Sequence, residues 1–167
     1  MFYGEVFKAL NKAKVKYVVA GGTAVILHGY KRLTEDLDLI IFLEEENCDK
    51  LFRALKSVGY IPKVPVTVEQ FKDKEQRKKW QKEKGMIVFS FVQKDPPFNL
   101  IDIFVEYPLR FDLVYENRLN IKIENIIIPT VSIEHLIKIK QKAGRPVDLN
   151  DIAQLKEIAR IHQKERK

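Results

Sequence analysis

Cysteine is almost missing from this chain: Cys48 is the only one among 167 residues. That excludes an intramolecular disulfide framework and fits a reducing compartment. There is no CxxC pair and no His/Cys cluster to hold zinc. No apolar run approaches the length of a membrane span. The opening "MFYGEVFKALNKAKVKYVVAGG" has no basic segment followed by a continuous apolar stretch, so no signal peptide is read. Internal repeats and low-complexity linkers are also lacking. These absences lead to the expectation of a single compact cytoplasmic domain.

What the chain does have is charge and apolar content. Hydrophobic residues make up 46%, enough for a sizeable core, and the net charge is +7. A basic balance of this kind suits a polyanionic partner such as nucleic acid or nucleotide phosphate.

Periodicity orders the elements. Phe2, Val6, Leu10 and Ala13 recur at helical spacing over 2–14, and "KYVVA" (16–20) is a short apolar strand ending at Gly21-Gly22. "TAVILHGY" reads as a short helix opened by Thr23 and stopped by Gly29. "DLDLIIFL" (36–43) is a strand, followed by a helix over 47–58. The charged stretch within 62–84 reads as one exposed helix with a solvated face. Strands over 86–93 and 99–107 flank "KDPPF", and short strands lie near 121–123 and 126–128. Two helices, "SIEHLIKIKQKA" and "DLNDIAQLKEIARIHQKERK", close the chain around "GRPV". The alternation predicts an α/β or α+β fold, a small mixed β-sheet flanked by helices. The division is a core over 1–130 and C-terminal helices over 131–167.

Two features point to chemistry. A strand that ends in Gly-Gly and feeds a helix frees backbone amides to meet phosphate. Asp36 and Asp38 share one face of an otherwise apolar strand, where two ionised carboxylates repel and are costly to bury. Divalent cations resolve that conflict, because Mg²⁺ is a hard ion that takes carboxylate oxygens and nucleotide phosphates together. The alternative is a strand end in water, with the aspartates paired to Lys31 or Arg32. Asp102 interrupts a second apolar run, "LIDIFVE", and three such carboxylates fit a two-metal site. Glu106, on the same face as Asp102 but further along, is left out.

The segment "VAGGTAVILHGYKRLTEDLDLII" resembles the signature of the polymerase-β-like nucleotidyltransferase superfamily: Gly-Gly, about a dozen residues, then Asp-hydrophobic-Asp on a strand. "LIDIF" supplies the later carboxylate. "SIEHLIKIKQKAGRPVDLNDIAQL" is similar to the C-terminal part of small bacterial and archaeal proteins related to AbiE-type toxins. There a lysine on one helix precedes an arginine and an Asp-x-x-Asp pair, matching Lys140, Arg145, Asp148 and Asp151. The middle of the chain, 60–98, matches nothing in that pattern.

The resemblance implies transfer of a nucleoside monophosphate from an NTP to a hydroxyl acceptor. Asp36, Asp38 and Asp102 would hold two Mg²⁺ ions, with Asp102 taking the acceptor's proton. Gly21, Gly22 and Thr23 would cradle phosphates, helped by Arg32 and Thr34. Lys140 would neutralise triphosphate charge, with Lys142 or Arg145 assisting. Acceptors implied are RNA such as tRNA or a protein side chain, including a partner in a toxin–antitoxin pair. Alternatives are an antibiotic-modifying enzyme, although the residues characteristic of lincosamide-modifying enzymes around the metal aspartates are lacking, and a non-catalytic member that binds nucleotide or protein. If the catalytic reading holds, the three carboxylates should converge, and Asp102 must not point away.

Bland roles stand beside these. Lys138 and Lys142, at i,i+4, suit a solvent-facing pair. Asp148 could be an N-cap, Asp151 could favour the helix dipole, and an Arg145–Asp148 pair could fix the interhelix turn. His28 reads as a packed or capping histidine, His135 and His162 as surface residues, and Trp80 as a packing anchor.

Overall fold

The computed structural model describes residues 3–165. Phe2, counted into the first helix by its spacing, and the last two residues of the predicted final helix lie outside that range. In chain order the elements are α1 (Gly4–Lys12), β1 (Tyr17–Val19), α2 (Gly21–Leu27), β2 (Asp36–Ile41), α3 (Glu45–Ser57), β3 (Tyr60–Pro62), α4 (Val68–Lys72), α5 (Lys74–Lys84), β4 (Val88–Gln93), β5 (Leu100–Phe104), α6 (Phe111–Glu116), β6 (Leu119–Ile123), β7 (Ile126–Thr130), α7 (Ile133–Ala143) and α8 (Pro146–Glu165).

Among the described residues the strands form one mixed sheet in the order β3-β4-β5-β2-β1-β7-β6. β2 lies between antiparallel β1 and parallel β5. This central place explains its composition. Leu37 and Leu39 are fully buried on one face, while Asp36 and Asp38 occupy the other at the strand's start, ahead of buried Ile40. α1 covers the sheet with Val6, Phe7 and Leu10. Tyr3 ties the base of the site together, its hydroxyl shared between the carbonyls of Glu35 (2.8 Å) and Leu100 (2.7 Å).

The stretch 62–84 departs from the expected single exposed helix. It forms two helices that meet at Asp73, which ends α4 and caps α5 by accepting from the amides of Glu75 and Gln76. A capping box, Thr67 with Gln70, starts α4. One face is buried rather than solvated. Phe71 and Trp80 join Phe52, Phe89 and Phe91 in an aromatic cluster, with ring centroids 4.9 Å apart for Phe52–Phe91 and 6.1 Å for Trp80–Phe89. Arg77 is buried as well. It donates to the carbonyls of Phe71, Lys72 and Val105, satisfying the end of α4 and joining it to the residue after β5. Trp80 is thus the packing anchor that the sequence suggests, while the charge count hides Phe71 and Arg77.

Other differences are smaller. Strand β3 and helix α6 were not read from the sequence. Helix α2 starts at Gly21 rather than Thr23, and α8 starts at Pro146 rather than Asp148. Proline suits a first helical position, where its missing N–H has no partner to lose. No helix among the described residues is long and apolar enough to cross a membrane.

Candidate active site

The site begins with register. β2 and β5 run parallel, and Asp38 stands opposite Asp102, with Asp36 two residues back on the same face. Side-chain alternation therefore sends all three carboxylates to one side of the sheet. Ser90 pairs with Asp102 from β4, and its hydroxyl donates to Oδ1 of Asp102 at 2.6 Å.

Electrostatics follow from this placement. Burial, then the charges of Asp102 and Asp36, push the Asp38 carboxyl up to about 6; Arg145 and Lys140 pull it back in part. Burial also raises Asp102, against the hydrogen bond from Ser90. Among the described residues no three His, Cys, Asp or Glu side chains lie close enough together to hold a metal ion as they stand, so the expected convergence of the three carboxylates is not seen. The carboxylates share one face and one cleft without being drawn together.

The glycine turn packs directly on this face. The amide of Ala20 donates to the Asp38 carbonyl at 2.9 Å, bringing the end of β1 against β2. Gly21 has φ +58, and a methyl group there would meet Oδ2 of Asp38 at 1.7 Å. A methyl on Gly22 would meet Oγ1 of Thr34 at 2.6 Å and approach Cζ of Arg32 at 3.3 Å. Both glycines are thus required by close approach of site side chains. The Thr23 hydroxyl donates to the Asp36 carbonyl at 3.0 Å, fastening α2 to β2, and Thr23 is not among the residues that line the cleft.

Across the cleft stands a cationic wall built by α7, α8 and the loop before β2. The Lys140 ammonium is buried, 3.0 Å from Oδ1 of Asp148 and 2.7 Å from Oδ2 of Asp151. Arg32 donates to the same oxygen of Asp151. Arg145 holds Asp148 through Nε at 2.9 Å and Nη2 at 3.2 Å. Burial would raise Asp148, but the hydrogen bonds from Arg145 and Lys140 outweigh it and hold that carboxyl below its ordinary value. The two walls enclose a cleft of about 630 Å³. Gly21, Gly22, Arg32, Thr34, the three aspartates, Lys140, Lys142 and Arg145 all line it.

A family model described as "Nucleotidyltransferase of unknown function (DUF6036)" matches residues 5–164. The chain belongs to this nucleotidyltransferase family. No curated protein matches it. Among solved structures, it is similar to the lincosamide antibiotic adenylyltransferase LnuA bound to lincomycin. The TM-score is 0.60 at 19% identity, covering 94% of each chain. It is similar to ANT(2″)-Ia in complex with adenylyl-2″-tobramycin, with a TM-score of 0.60 at 12% identity over 99% of this chain and 95% of that one. A nucleotidyltransferase-like protein from Paracoccidioides brasiliensis gives 0.52 at 20% identity over 89% and 71%. These likenesses concern the fold.

Within this nucleotidyltransferase, two groups around the cleft, Ser90 and Glu106, are absent from the site that the sequence predicts. Ser90 is missed because serine is ordinary in a strand, although it shares its face with Val88 and Val92 while Phe89 and Phe91 fill the core. Glu106, outside the predicted site, lines the cleft and accepts from Gln81 at 2.8 Å. Asp148 is not an N-cap: as the third residue of α8 it reaches back to the Arg145 amide at 3.2 Å, and it fixes the turn as one reading of the Arg145–Asp148 pair anticipated. Lys142 is exposed and touches the Pro108 carbonyl at 3.4 Å, while Lys138 pairs with Glu134 on the surface. His28 both ends α2 and packs, its Nε2 2.7 Å from the Val131 carbonyl.

Proposed function

We propose that this nucleotidyltransferase moves a nucleoside monophosphate from an NTP to a hydroxyl group, releasing pyrophosphate. The observation that carries this reading is Asp38 set beside Asp102, with Asp36 on the same face, opposite a cationic wall in one cleft. The donor type suits Mg²⁺: three carboxylate groups share a face and would have to draw together around it, and a hard cation relieves the repulsion that helps to raise Asp38. Asp36, Asp38 and Asp102 would hold two such ions, which shield triphosphate charge and make a hydroxyl more acidic.

The remaining work belongs to the chain's own groups. Amides of Gly21 and Gly22, the Thr34 hydroxyl and the Arg32 guanidinium bind phosphate oxygens and orient the NTP. Arg145 and Lys142 offset the charge that builds on pyrophosphate as it leaves. Asp102, made more basic by burial, accepts the proton of the acceptor hydroxyl.

For the acceptor, an RNA 3′ end or a protein hydroxyl suits the net charge of +7. The likeness of α7–α8 to AbiE-type proteins suggests a toxin–antitoxin setting. A small-molecule hydroxyl is the second reading. It is favoured by the apolar part of the cleft lining, where Ile87, Val88, Phe104, Ile139 and Val147 offer surface for an uncharged scaffold. The two antibiotic-related structures of similar fold support it too.

Incubation with Mg²⁺ and each α-labelled NTP, alongside total RNA, cell-extract protein or a metabolite fraction, tests both readings. Label should pass to one of these classes with wild type and not with Asp36→Ala or in EDTA. Absence of transfer together with absence of NTP-induced thermal stabilisation would leave the non-catalytic scaffold.

A further inference from the structure

We infer that Asp151 is a positioning residue that presents Arg32 to the nucleotide phosphates, and that Lys140, which the family resemblance cast as the phosphate ligand, is instead the buried counter-charge that makes this possible. The inference rests on the nucleotidyl-transfer reading and reassigns roles within the cleft.

The geometry separates the three cations. Lys140 is only 2% exposed, and its ammonium lies against two carboxylates. A cation so neutralised offers little field to a third anion. Arg32 differs in exposure and in valence. Its side chain is 20% exposed, against 1% for Asp151. Nε donates to the Leu33 carbonyl at 3.1 Å and Nη1 to Asp151, while Nη2 donates to no acceptor among the described residues. One edge of the guanidinium is thus pinned and a donor remains. Its carbon lies beside Gly22, on the turn facing the three aspartates. A guanidinium fixed on one side is well suited to a phosphate on the other, because its fork is planar and its orientation is already set.

The network also explains why two aspartates sit in a wall meant to be positive. Lys140, Arg32 and Arg145 outnumber Asp148 and Asp151 by one charge, so the wall stays cationic after the pairing. Without Lys140, Asp151 would draw Arg32 into a neutral pair. With Lys140 sharing that carboxylate, Arg32 is held in place while its charge is only partly offset. The same arrangement sits on Asp148, where Arg145 is 64% exposed and Lys140 again lies underneath. Asp151 also links parts of the chain distant in sequence, fastening α8 to the loop before β2.

The test is nucleotide binding in Mg²⁺ buffer, read by calorimetry with a non-hydrolysable ATP analogue, any other NTP that labelling shows to be preferred, and the corresponding nucleosides, beside melting temperature. Arg32→Ala should weaken triphosphate binding about tenfold, the size of one charge-assisted hydrogen bond, with nucleoside binding little changed and a melting temperature lowered because Asp151 loses one of its two cations. Asp151→Asn should weaken triphosphate binding by a similar factor. The double variant should be no weaker than either single one, because both remove the same contact. Additive losses, or full-strength triphosphate binding by Arg32→Ala, would overturn the inference while leaving nucleotidyl transfer standing. If wild type binds no triphosphate at all, the functional reading itself falls and takes the inference with it. Should Asp151→Asn fail to fold, Asp151→Glu, which keeps the charge but moves the carboxylate, replaces it: loss of triphosphate binding with nucleoside binding kept supports the inference, and full-strength triphosphate binding overturns it.

Discussion

Asp38 and Asp102 stand side by side on parallel strands, two carboxylates in register on the same face of a buried sheet. Neither has a cationic partner within ion-pair distance among the described residues; only Ser90 donates to Asp102. A fold gains nothing from such a pair on its own, and the first prediction follows from the strain it creates.

The Asp38 carboxyl is raised to about 6 in the folded protein, above its unfolded value. Between those two values the native state holds the extra proton, so stability falls as pH rises through about 6. Asp38→Asn should therefore melt higher than wild type at pH 7.5 in EDTA, by roughly 2–6 °C for a gain on the order of 1–2 kcal/mol. The difference should shrink at pH 5. Protons also compete with cations, so Mg²⁺-dependent stabilisation should weaken below pH 6. Calorimetric melts at the two pH values with and without Mg²⁺ check both signs; an Asp38→Asn melting point below that of wild type at pH 7.5 would refute the account.

Gly21 and Gly29 both have positive φ, but only Gly21 is crowded. A Cβ at Gly21 would strike Asp38, whereas one at Gly29 meets nothing within 4 Å. Gly29→Ala should cost only backbone strain, about 1 kcal/mol. Gly21→Ala carries that cost and also displaces a site carboxylate, so transfer activity should drop at least a hundredfold. Comparing activity at matched folded fraction separates the two effects. Equal activity in the two variants would mean that the Gly21–Asp38 contact is dispensable.

Ser90 acts on Asp102 through one hydrogen bond of 2.6 Å. Removing the hydroxyl takes away an interaction that favours the ionised carboxylate. Ser90→Ala should therefore shift the acidic limb of the pH–rate profile upward, by about half to one pH unit, with kcat reduced at neutral pH and recovered at alkaline pH. Ser90→Thr should retain the wild-type profile. An unshifted limb in Ser90→Ala would show that Asp102 does not titrate in the rate-limiting step.

Much of the site is legible in sequence because its residues break a rule locally. Asp36, Asp38 and Asp102 interrupt apolar strands, and a doubled glycine ends one, so each is conspicuous without knowing its neighbours. The cationic wall is not legible in this way. Lys140 is set apart by its spacing from Leu136, on a helix whose other lysines, Lys138 and Lys142, are exposed, but nothing in that spacing names the groups it meets. Its carboxylates come from α8, and Arg32 reaches Asp151 across 119 positions. Only tertiary packing decides that these groups share one network. The same holds for Arg77, buried within a segment whose average composition says solvent; Trp80 there is legible as a packing anchor, but its partner Phe89 is not. Local exceptions are read from the chain, whereas partners brought together by the fold are not.

Lys140 supplies the last prediction. Among the described residues its ammonium is the one cation that contacts both Asp148 and Asp151, whose side chains are each 1% exposed. Breaking a buried ion pair by removing one partner leaves uncompensated charge, at about 3–5 kcal/mol. Arg32 and Arg145 remain as partial compensation, which puts Lys140→Met near the lower end, a fall in melting temperature of roughly 6–12 °C. Removal of Lys138, whose pair with Glu134 is exposed, should change stability by less than about 0.5 kcal/mol. If unpaired charge is the cause, adding Asp148→Asn and Asp151→Asn to Lys140→Met should restore part of the lost stability. If shape is the cause, the triple variant should be worse than the single one. Thermal melts of the four proteins, with wild type as reference, distinguish a buried electrostatic brace from a lysine that merely fills space.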